Sequence, residues 1–208
     1  KTERITRHQL YVCDEIPYTS HNSAMCFRAA IVPDSLDDII RYSQEILVRR
    51  SAPGSDPGLC VAVADRIMNR DELVRFGLDA TKKVLRKEDA VMLAQRMNVH
   101  LSEHGGTGGG IIGALAGVGL RMFGSNGRFK GWFKIDESER NISVDMLCSR
   151  FDIQQVRSVE GTRIPGDGMV VLEDKVKTVL IDGMSVLLVK QVNPGVWINI
   201  KKDELRKY

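Results

Sequence analysis

Apolar residues along the first 136 positions alternate between short β-prone runs and longer runs at helical spacing. Two β-prone runs, 9–12 and 24–32, predict strands that are separated by a polar turn. After Pro33, which ends the second run, an apolar stripe predicts a helix capped at Asp34 or Ser35. The stripe consists of Leu36, Ile39, Ile40, Ile46 and Leu47.

The same alternation continues to residue 136. Asn69 is a predicted N-cap, because its side chain can accept a hydrogen bond from the first turn of a helix. In chain order the pattern predicts a loop at 51–58, a buried strand at 59–64, helices after Asn69 and at 87–97, a strand at 99–104, a glycine-rich loop at 105–110, a helix at 111–122 and a strand at 128–135.

After Asp136 the pattern becomes mostly β. A short helix at 144–151 precedes four β-prone runs, and Asp182-Gly183 between two of them predicts a tight hairpin. The boundary is expected near 137–142, which gives an α/β domain at 1–140 and a β-rich extension at 141–208. The fold class predicted is therefore α+β: a sheet with helices on one face, followed by a β-rich tail.

Composition is that of a globular protein: 208 residues, 43% hydrophobic and 27% charged, with a formal net charge of +3. That charge does not imply nucleic-acid binding by itself. The four cysteines are widely spaced without a C-x-x-C pair, which predicts free thiols. The N-terminal residues are polar, and the most apolar run, 110–120, is shorter than the roughly 20 residues of a membrane span. We expect a cytoplasmic protein with no membrane partner.

The glycine-rich segment is the first candidate for chemistry. Its backbone N–H groups precede a helix N-terminus, where unpaired donors favour an anion. The alternative is a flexible or tightly packed turn. The residues concerned are Gly105, Gly106, Gly108, Gly109 and Gly110. A formal G-x-G-x-x-G match beginning at Gly108 does not predict a dinucleotide site, because it lies past the middle of the chain. Instead, Gly109, Gly113 and Gly117 predict a helix face packed closely on a sheet.

Two further segments carry more polar groups than a turn requires. The first is the turn before residue 24, where the candidates are Tyr18, Thr19, Ser20, His21 and Asn22. The second is the loop containing Ser55, Asp56 and Gly58, where Asp56 offers a carboxylate to a cation. A solvated turn and an ordinary loop are the alternatives. Since each of the three segments borders a predicted strand, we expect them to converge on one cleft.

No metal or cofactor site is predicted. The sequence has no H-E-x-x-H, no G-x-S-x-G and no P-loop. His100 and His104 are four residues apart and are expected to diverge along a strand, so a two-histidine metal site is not predicted.

The three segments together resemble one family. The residues 16–24 (Ile-Pro-Tyr-Thr-Ser-His-Asn-Ser-Ala), 55–59 (Ser-Asp-Pro-Gly-Leu) and 110–119 (Gly-Ile-Ile-Gly-Ala-Leu-Ala-Gly-Val-Gly) are similar, in that order, to the ferredoxin-like middle region of archaeal isoleucine-tRNA agmatinylcytidine synthetase. The resemblance implies a ferredoxin-like fold. It also implies that residues 18–23, 56–58 and 105–110 face agmatine, with Asp56 as the partner of its cationic group.

The family's other parts are missing from the sequence: no aspartate-rich activating motif, no paired C-x-x-C zinc ribbon and no room for an OB fold after residue 190. The first hypothesis is therefore a module that binds a small polar or amine metabolite and is not catalytic as an isolated chain. The alternatives are a subunit of an RNA- or nucleotide-modifying enzyme completed by a partner chain, and a structural or oligomerisation domain. A basic surface that includes Arg128, Lys130 and Lys134 would favour RNA.

Overall fold

A computed structural model describes residues 1–17, 21–136, 138, 140–173 and 175–208. Helices and strands both contribute substantially, so the predicted α+β class is confirmed. The chain divides into two compact units, Lys1–Phe123 and Gly124–Tyr208. The division precedes the boundary expected near 137–142. The ferredoxin-like arrangement stays a prediction.

The described residues of the first unit form four α-helices and four short strands. In chain order they are β1 (Thr6–Gln9), β2 (Ser23–Cys26), α1 (Leu36–Arg50), β3 (Gly58–Val61), α2 (Arg70–Ala80), α3 (Lys87–Met97), β4 (His100–Glu103) and α4 (Gly110–Phe123). Two 3-10 turns, Pro33–Ser35 and Ala64–Arg66, precede α1 and α2. All four predicted helices of this unit are present, and α3 has the predicted bounds.

The strands of this unit form two antiparallel pairs. β1 pairs with β2, with Thr6 opposite Cys26 and Gln9 opposite Ser23. β3 pairs with β4, with Gly58 opposite Glu103. Each strand is four residues long. The strand predicted at 9–12 lies earlier in the chain, at Thr6–Gln9, and the other three are shorter than the runs that predicted them.

Helix α2 begins where the sequence predicts. The side chain of Asn69 accepts a hydrogen bond from the Glu72 amide at 3.2 Å, which satisfies one of the unpaired donors of the first turn. Helix α3 ends at Asn98 in the left-handed conformation (φ 50°), which asparagine tolerates better than most residues.

Helix α4 is the centre of the first unit. Its buried apolar residues pack with those of α2 and α3 in a core that includes Leu73, Leu93, Ile111 and Leu115. A Cβ on Gly119 would lie 2.1 Å from the Leu73 carbonyl oxygen, so the backbones of α2 and α4 touch where glycine leaves room.

The opposite side of α4 contacts the β1–β2 pair. A Cβ added to Gly117 would lie 2.9 Å from Cβ of Ala24, and one added to Gly113 would lie 3.1 Å from Cδ1 of Leu10. The predicted close packing of this helix face is thus confirmed at Gly117, which meets β2, and at Gly113, which meets the residue after β1. Gly109 was wrongly included in the face, because the helix begins at Gly110.

Helix α1 is different, because none of its fifteen residues is buried. The side chain of Gln44 approaches His100 and Ser102 of β4, each at 3.4 Å. Ser102 lies opposite Leu59 in the β3–β4 register, whereas Cys60 and Leu101 on the other face join the α3–α4 core. Helices α1 and α4 therefore cover opposite faces of the β3–β4 pair.

The second unit is mainly β. It contains β5 (Arg128–Phe129), β6 (Asn141–Ser143), α5 (Val144–Arg150), β7 (Gln155–Ser158), β8 (Met169–Val171), β9 (Val179–Ile181), β10 (Met184–Asn193) and β11 (Val196–Asn199), followed by a 3-10 turn at Glu204–Lys207. Strand β10 pairs antiparallel with β9 and β11 and parallel with β7. Its core includes Leu147, Val156, Val170 and Leu187.

The predicted hairpin at Asp182-Gly183 is confirmed. Both residues have positive φ (51° and 76°), the geometry of the turns that suit two-residue hairpins, and Ile181 pairs with Met184 on either side. Strands β6 and β7 were not predicted. Among the described residues, no helix combines the length and apolar character that crossing a bilayer demands.

Candidate functional site

The glycine-rich loop is organised by Asp56. Its Oδ2 accepts hydrogen bonds from the Thr107 hydroxyl at 2.6 Å, the Thr107 amide at 3.1 Å and the Gly109 amide at 3.1 Å. Because α4 begins at Gly110, Asp56 acts as an N-terminal cap supplied from a distant segment. The anion predicted at the loop amides is thus the protein's own carboxylate.

These hydrogen bonds keep Asp56 ionised. Burial acts to raise the pKa of this carboxyl, but hydrogen bonds from the Thr107 side chain and from the backbone amides of Gly110, Thr107 and Gly109 outweigh burial and hold the pKa below its ordinary value. The other oxygen, Oδ1, is shielded from solvent and accepts no hydrogen bond from the described residues. The carboxylate therefore retains acceptor capacity.

Glycines let the two loops touch. A Cβ on Gly110 would lie 1.8 Å from the Asp56 carbonyl oxygen, and one on Gly58 would lie 2.5 Å from the Gly110 carbonyl carbon. Neither position has room for a larger residue, so the packed-turn interpretation holds for Gly110, and Gly58 is required for the same contact. Gly106 packs against Asp56 in the same way, since its Cβ would lie 2.8 Å from the aspartate Cβ.

The polar turn is described only in part. Tyr18, Thr19 and Ser20 lie outside the described residues. Asn22 closes the β1–β2 pair. Its side-chain amide donates to the Tyr11 carbonyl at 2.7 Å, and its backbone carbonyl accepts from the Leu10 amide at 3.1 Å. His21 is exposed at the mouth of a cavity.

That cavity has a volume of about 1290 Å³ and lies within the first unit. Its lining includes residues of all three predicted segments: His21 and Asn22, Ser55, Asp56 and Gly58, and Gly109 and Gly110. The expected convergence of the segments is therefore confirmed for these residues. Gly105, Gly106 and Gly108 do not line the cavity. A Cβ on Gly108 would instead meet Glu103 and Lys87, which form a 2.7 Å ion pair.

The walls away from the loops are largely aliphatic. α1 contributes Leu36, Ile39 and Ile46, and α4 contributes Ala114 and Val118. The sequence pattern predicted the apolar stripe of α1 but not its role as a cavity wall.

Two thiols lie on these walls. Burial raises the pKa of Cys26 to about 11 and that of Cys60 to about 12. Both remain protonated near neutral pH, which makes them poor nucleophiles. All four cysteines are free, as the spacing predicts, and each is half-buried.

Thr107 is the site residue that sequence reasoning missed. Its hydroxyl donates to Asp56 and also accepts from the Gly109 amide at 3.2 Å. A threonine just before a helix start is a capping signal, and that signal was available in the sequence.

A second polar group lies along β4. The Ser102 hydroxyl is 3.0 Å from Nε2 of His100 and 2.7 Å from Nε2 of His104. The expectation that the two histidines diverge was wrong, because residues i and i+4 of a strand share one face. Burial and then the charge of nearby His104 lower the pKa of His100. The described residues contain no group of three or more metal-ligating side chains.

Comparison with known proteins adds no assignment. No family model matches the sequence, and the curated proteins compared with it show no significant similarity.

Proposed function

We propose that the Lys1–Phe123 unit is a binding module for a small ligand with a polar or cationic end, and that it is not a complete enzyme by itself. The observation that carries the proposal is that three segments, far apart in sequence, line a single cavity. Ligand sites are typically concave and mostly apolar, with a few converging polar groups.

Asp56 is the group that favours a cation. Its lowered pKa keeps the carboxylate charged, and Oδ1 has no hydrogen-bond donor among the described residues. An amine or guanidinium group supplies the opposite charge. The resemblance to the agmatine-binding region supports the same choice. His21 and Asn22 also line the cavity and are candidates for hydrogen bonds to the rest of the ligand's polar end.

Calorimetry with agmatine as the probe tests the proposal. Asp56→Asn should weaken binding about tenfold to a hundredfold, as expected for a lost charge-assisted hydrogen bond of roughly 1.5–3 kcal/mol. Because Asp56 also caps α4, the matched control is Thr107→Val, which removes one hydrogen bond to Oδ2 but leaves the charge. The control should lower the melting temperature while keeping the affinity within about threefold. Equal loss in both variants assigns Asp56 to loop structure alone, and absence of binding at millimolar agmatine refutes a cationic ligand.

RNA binding by the second unit is the other candidate, and one observation favours it. Trp132 is 53% exposed, and the Lys175 ammonium lies 4.5 Å from the centre of its ring, with Lys130 and Lys134 exposed nearby in sequence. Aromatic rings beside lysines bind single-stranded nucleic acid by stacking and charge. Binding of a single-stranded RNA oligonucleotide should fall with added salt and should weaken in Trp132→Ala by about 1–3 kcal/mol. An unchanged affinity in that variant removes the candidate.

A further inference from the structure

The cavity runs along strand edges. Residues 23–28, which include β2, and residues 58–63, which include β3, line it without interruption. Successive side chains of a strand point to opposite faces, so a cavity above a face would contact every second residue. Contact with every residue indicates that the cavity meets β2 and β3 edge-on.

Both edges are unpaired among the described residues. β2 pairs only with β1, and β3 pairs only with β4. The edge of a strand presents a row of backbone N–H and C=O groups that can template another strand. The cavity therefore contains polar backbone along its length in addition to the loop end described above.

The space beside β3 has apolar walls on both faces. Because α1 and α4 cover opposite faces of the β3–β4 pair, a chain lying beside β3 would contact Ile39 and Ile46 on one face and Ala114 and Val118 on the other. A strand buried on both faces has a continuous apolar sequence rather than an alternating one.

These features decide between classes of occupant. An aliphatic molecule would cover the walls but leave the backbone groups of β2 and β3 buried and unpaired, which is costly. A small polar metabolite fills only the loop end, and the volume of about 1290 Å³ exceeds the roughly 300–1,000 Å³ of ordinary ligand pockets. An extended polypeptide satisfies the walls and the edges together.

We propose that the cavity receives an extended, uninterrupted apolar segment of a partner polypeptide, which pairs with the free edges of β2 and β3. Strand addition of this kind takes its affinity from main-chain hydrogen bonds and its specificity from side-chain pockets. The inference does not depend on the proposed metabolite site, because it uses the strand-lined part of the cavity.

The test uses a capped seven-residue peptide with five alternating valines and isoleucines between terminal lysines. The controls are two peptides of the same sequence in which every second backbone amide is N-methylated, with a different set of amides methylated in each. Both controls keep the side chains, but each has lost the N–H donors along one edge of the extended peptide. We expect the unmodified peptide to bind and each methylated peptide to bind at least about tenfold more weakly, since several hydrogen bonds are lost. Equal binding of all three peptides, or no binding at the solubility limit, overturns the proposal.

Amide hydrogen exchange locates the bound peptide. Amides of β2 and β3 should exchange more slowly in its presence, and those of α5 should not change. Ile46→Lys places a charge on the apolar cavity wall formed by α1 and should weaken peptide binding. The unit should remain folded, because no residue of α1 is buried. If the protein binds agmatine but not the peptide, the peptide-binding inference is refuted and the proposed metabolite site stands. If it binds the peptide but not agmatine, only the proposed metabolite site is refuted.

Discussion

Helices α1 and α4 have nearly equal lengths, fifteen and fourteen residues, and both carry aliphatic stripes, yet α4 buries seven residues and α1 buries none. Glycines make the difference. Gly117 and Gly119 let strands and a second helix approach α4 from two sides. The bulky stripe of α1 faces a cavity instead. A helical pattern thus predicts that a helix forms, but it does not show what the apolar face will contact.

The largest difference in stability between the two helices is expected when one leucine of α4 is truncated. Leu115 is fully buried, so Leu115→Ala should cost about 2–5 kcal/mol in the free energy of unfolding. Ile46→Ala in α1 removes a half-buried side chain beside a cavity and should cost less than about 1 kcal/mol. Urea denaturation of both variants checks this. A cost at Ile46 equal to that at Leu115 would show that α1 belongs to the core.

A single added methyl group tests the role of the glycines. Gly119→Ala places its Cβ against the Leu73 carbonyl oxygen, a backbone atom that cannot move alone, and should cost about 1–3 kcal/mol. Gly113→Ala, the matched control, meets only a leucine methyl at 3.1 Å and gains helix propensity, so its stability should change by less than about 1 kcal/mol. Thermal denaturation compares them, and equal melting temperatures would contradict the close contact of α2 and α4.

Removing the charge of Asp56, the cap of α4, should have a smaller effect on the free energy of unfolding. Asp56→Asn weakens the hydrogen bonds to Thr107 and Gly109 at the start of α4 and should cost about 1–2 kcal/mol, the usual range for a helix cap. Asp65→Asn removes an exposed carboxylate from the same cavity and is expected to be neutral. The measurement is the denaturant midpoint of each variant. Equal midpoints for Asp56→Asn and the wild type would exclude a capping role.

The smallest expected effect is a dependence on pH. The pKa of Asp56 is lowered in the folded state, so the unfolded chain binds more protons below its own pKa near 3.9. The stabilisation by this carboxylate is complete above that value and is lost as pH falls through the folded-state pKa. The difference in stability between the wild type and Asp56→Asn should therefore narrow below about pH 4. If the difference in stability between the wild type and Asp56→Asn stayed constant down to about pH 2.5, the stabilising role of the ionised Asp56 carboxylate would be contradicted.

Local signals in the sequence predicted local structure well. The Asn69 cap, the bounds of α3 and the Asp182-Gly183 turn depend on neighbouring residues, and each is confirmed. The strands were predicted too long, because their length is set by the pairing partner. The run 24–32 is β-prone, yet only Ser23–Cys26 pairs with the four residues of β1, and an isolated bridge joins Ala29 to Thr2.

The candidate site was predicted in its parts but not in its connections. Asp56 was assigned to a cation and the glycine-rich loop to an anion, each as a separate element of a ligand site. The structure joins them, across fifty-one positions of sequence, through Thr107. Complementary charge predicts what a group can bind, but only the fold decides whether a ligand or another part of the chain binds it first.

The free edges of β2 and β3 also bear on solubility. Unpaired strand edges exposed at a protein surface invite association with other copies, and proteins commonly cover them. Here the edges line a cavity beside α1, whose polar face carries Asp37, Asp38, Arg49 and Arg50. Because no residue of α1 is buried, local unfolding of this helix costs little and opens the cavity that β2 and β3 line. Self-association at high concentration is therefore expected to begin with the loss of α1 and to proceed through β2 and β3, while the α4 core remains folded.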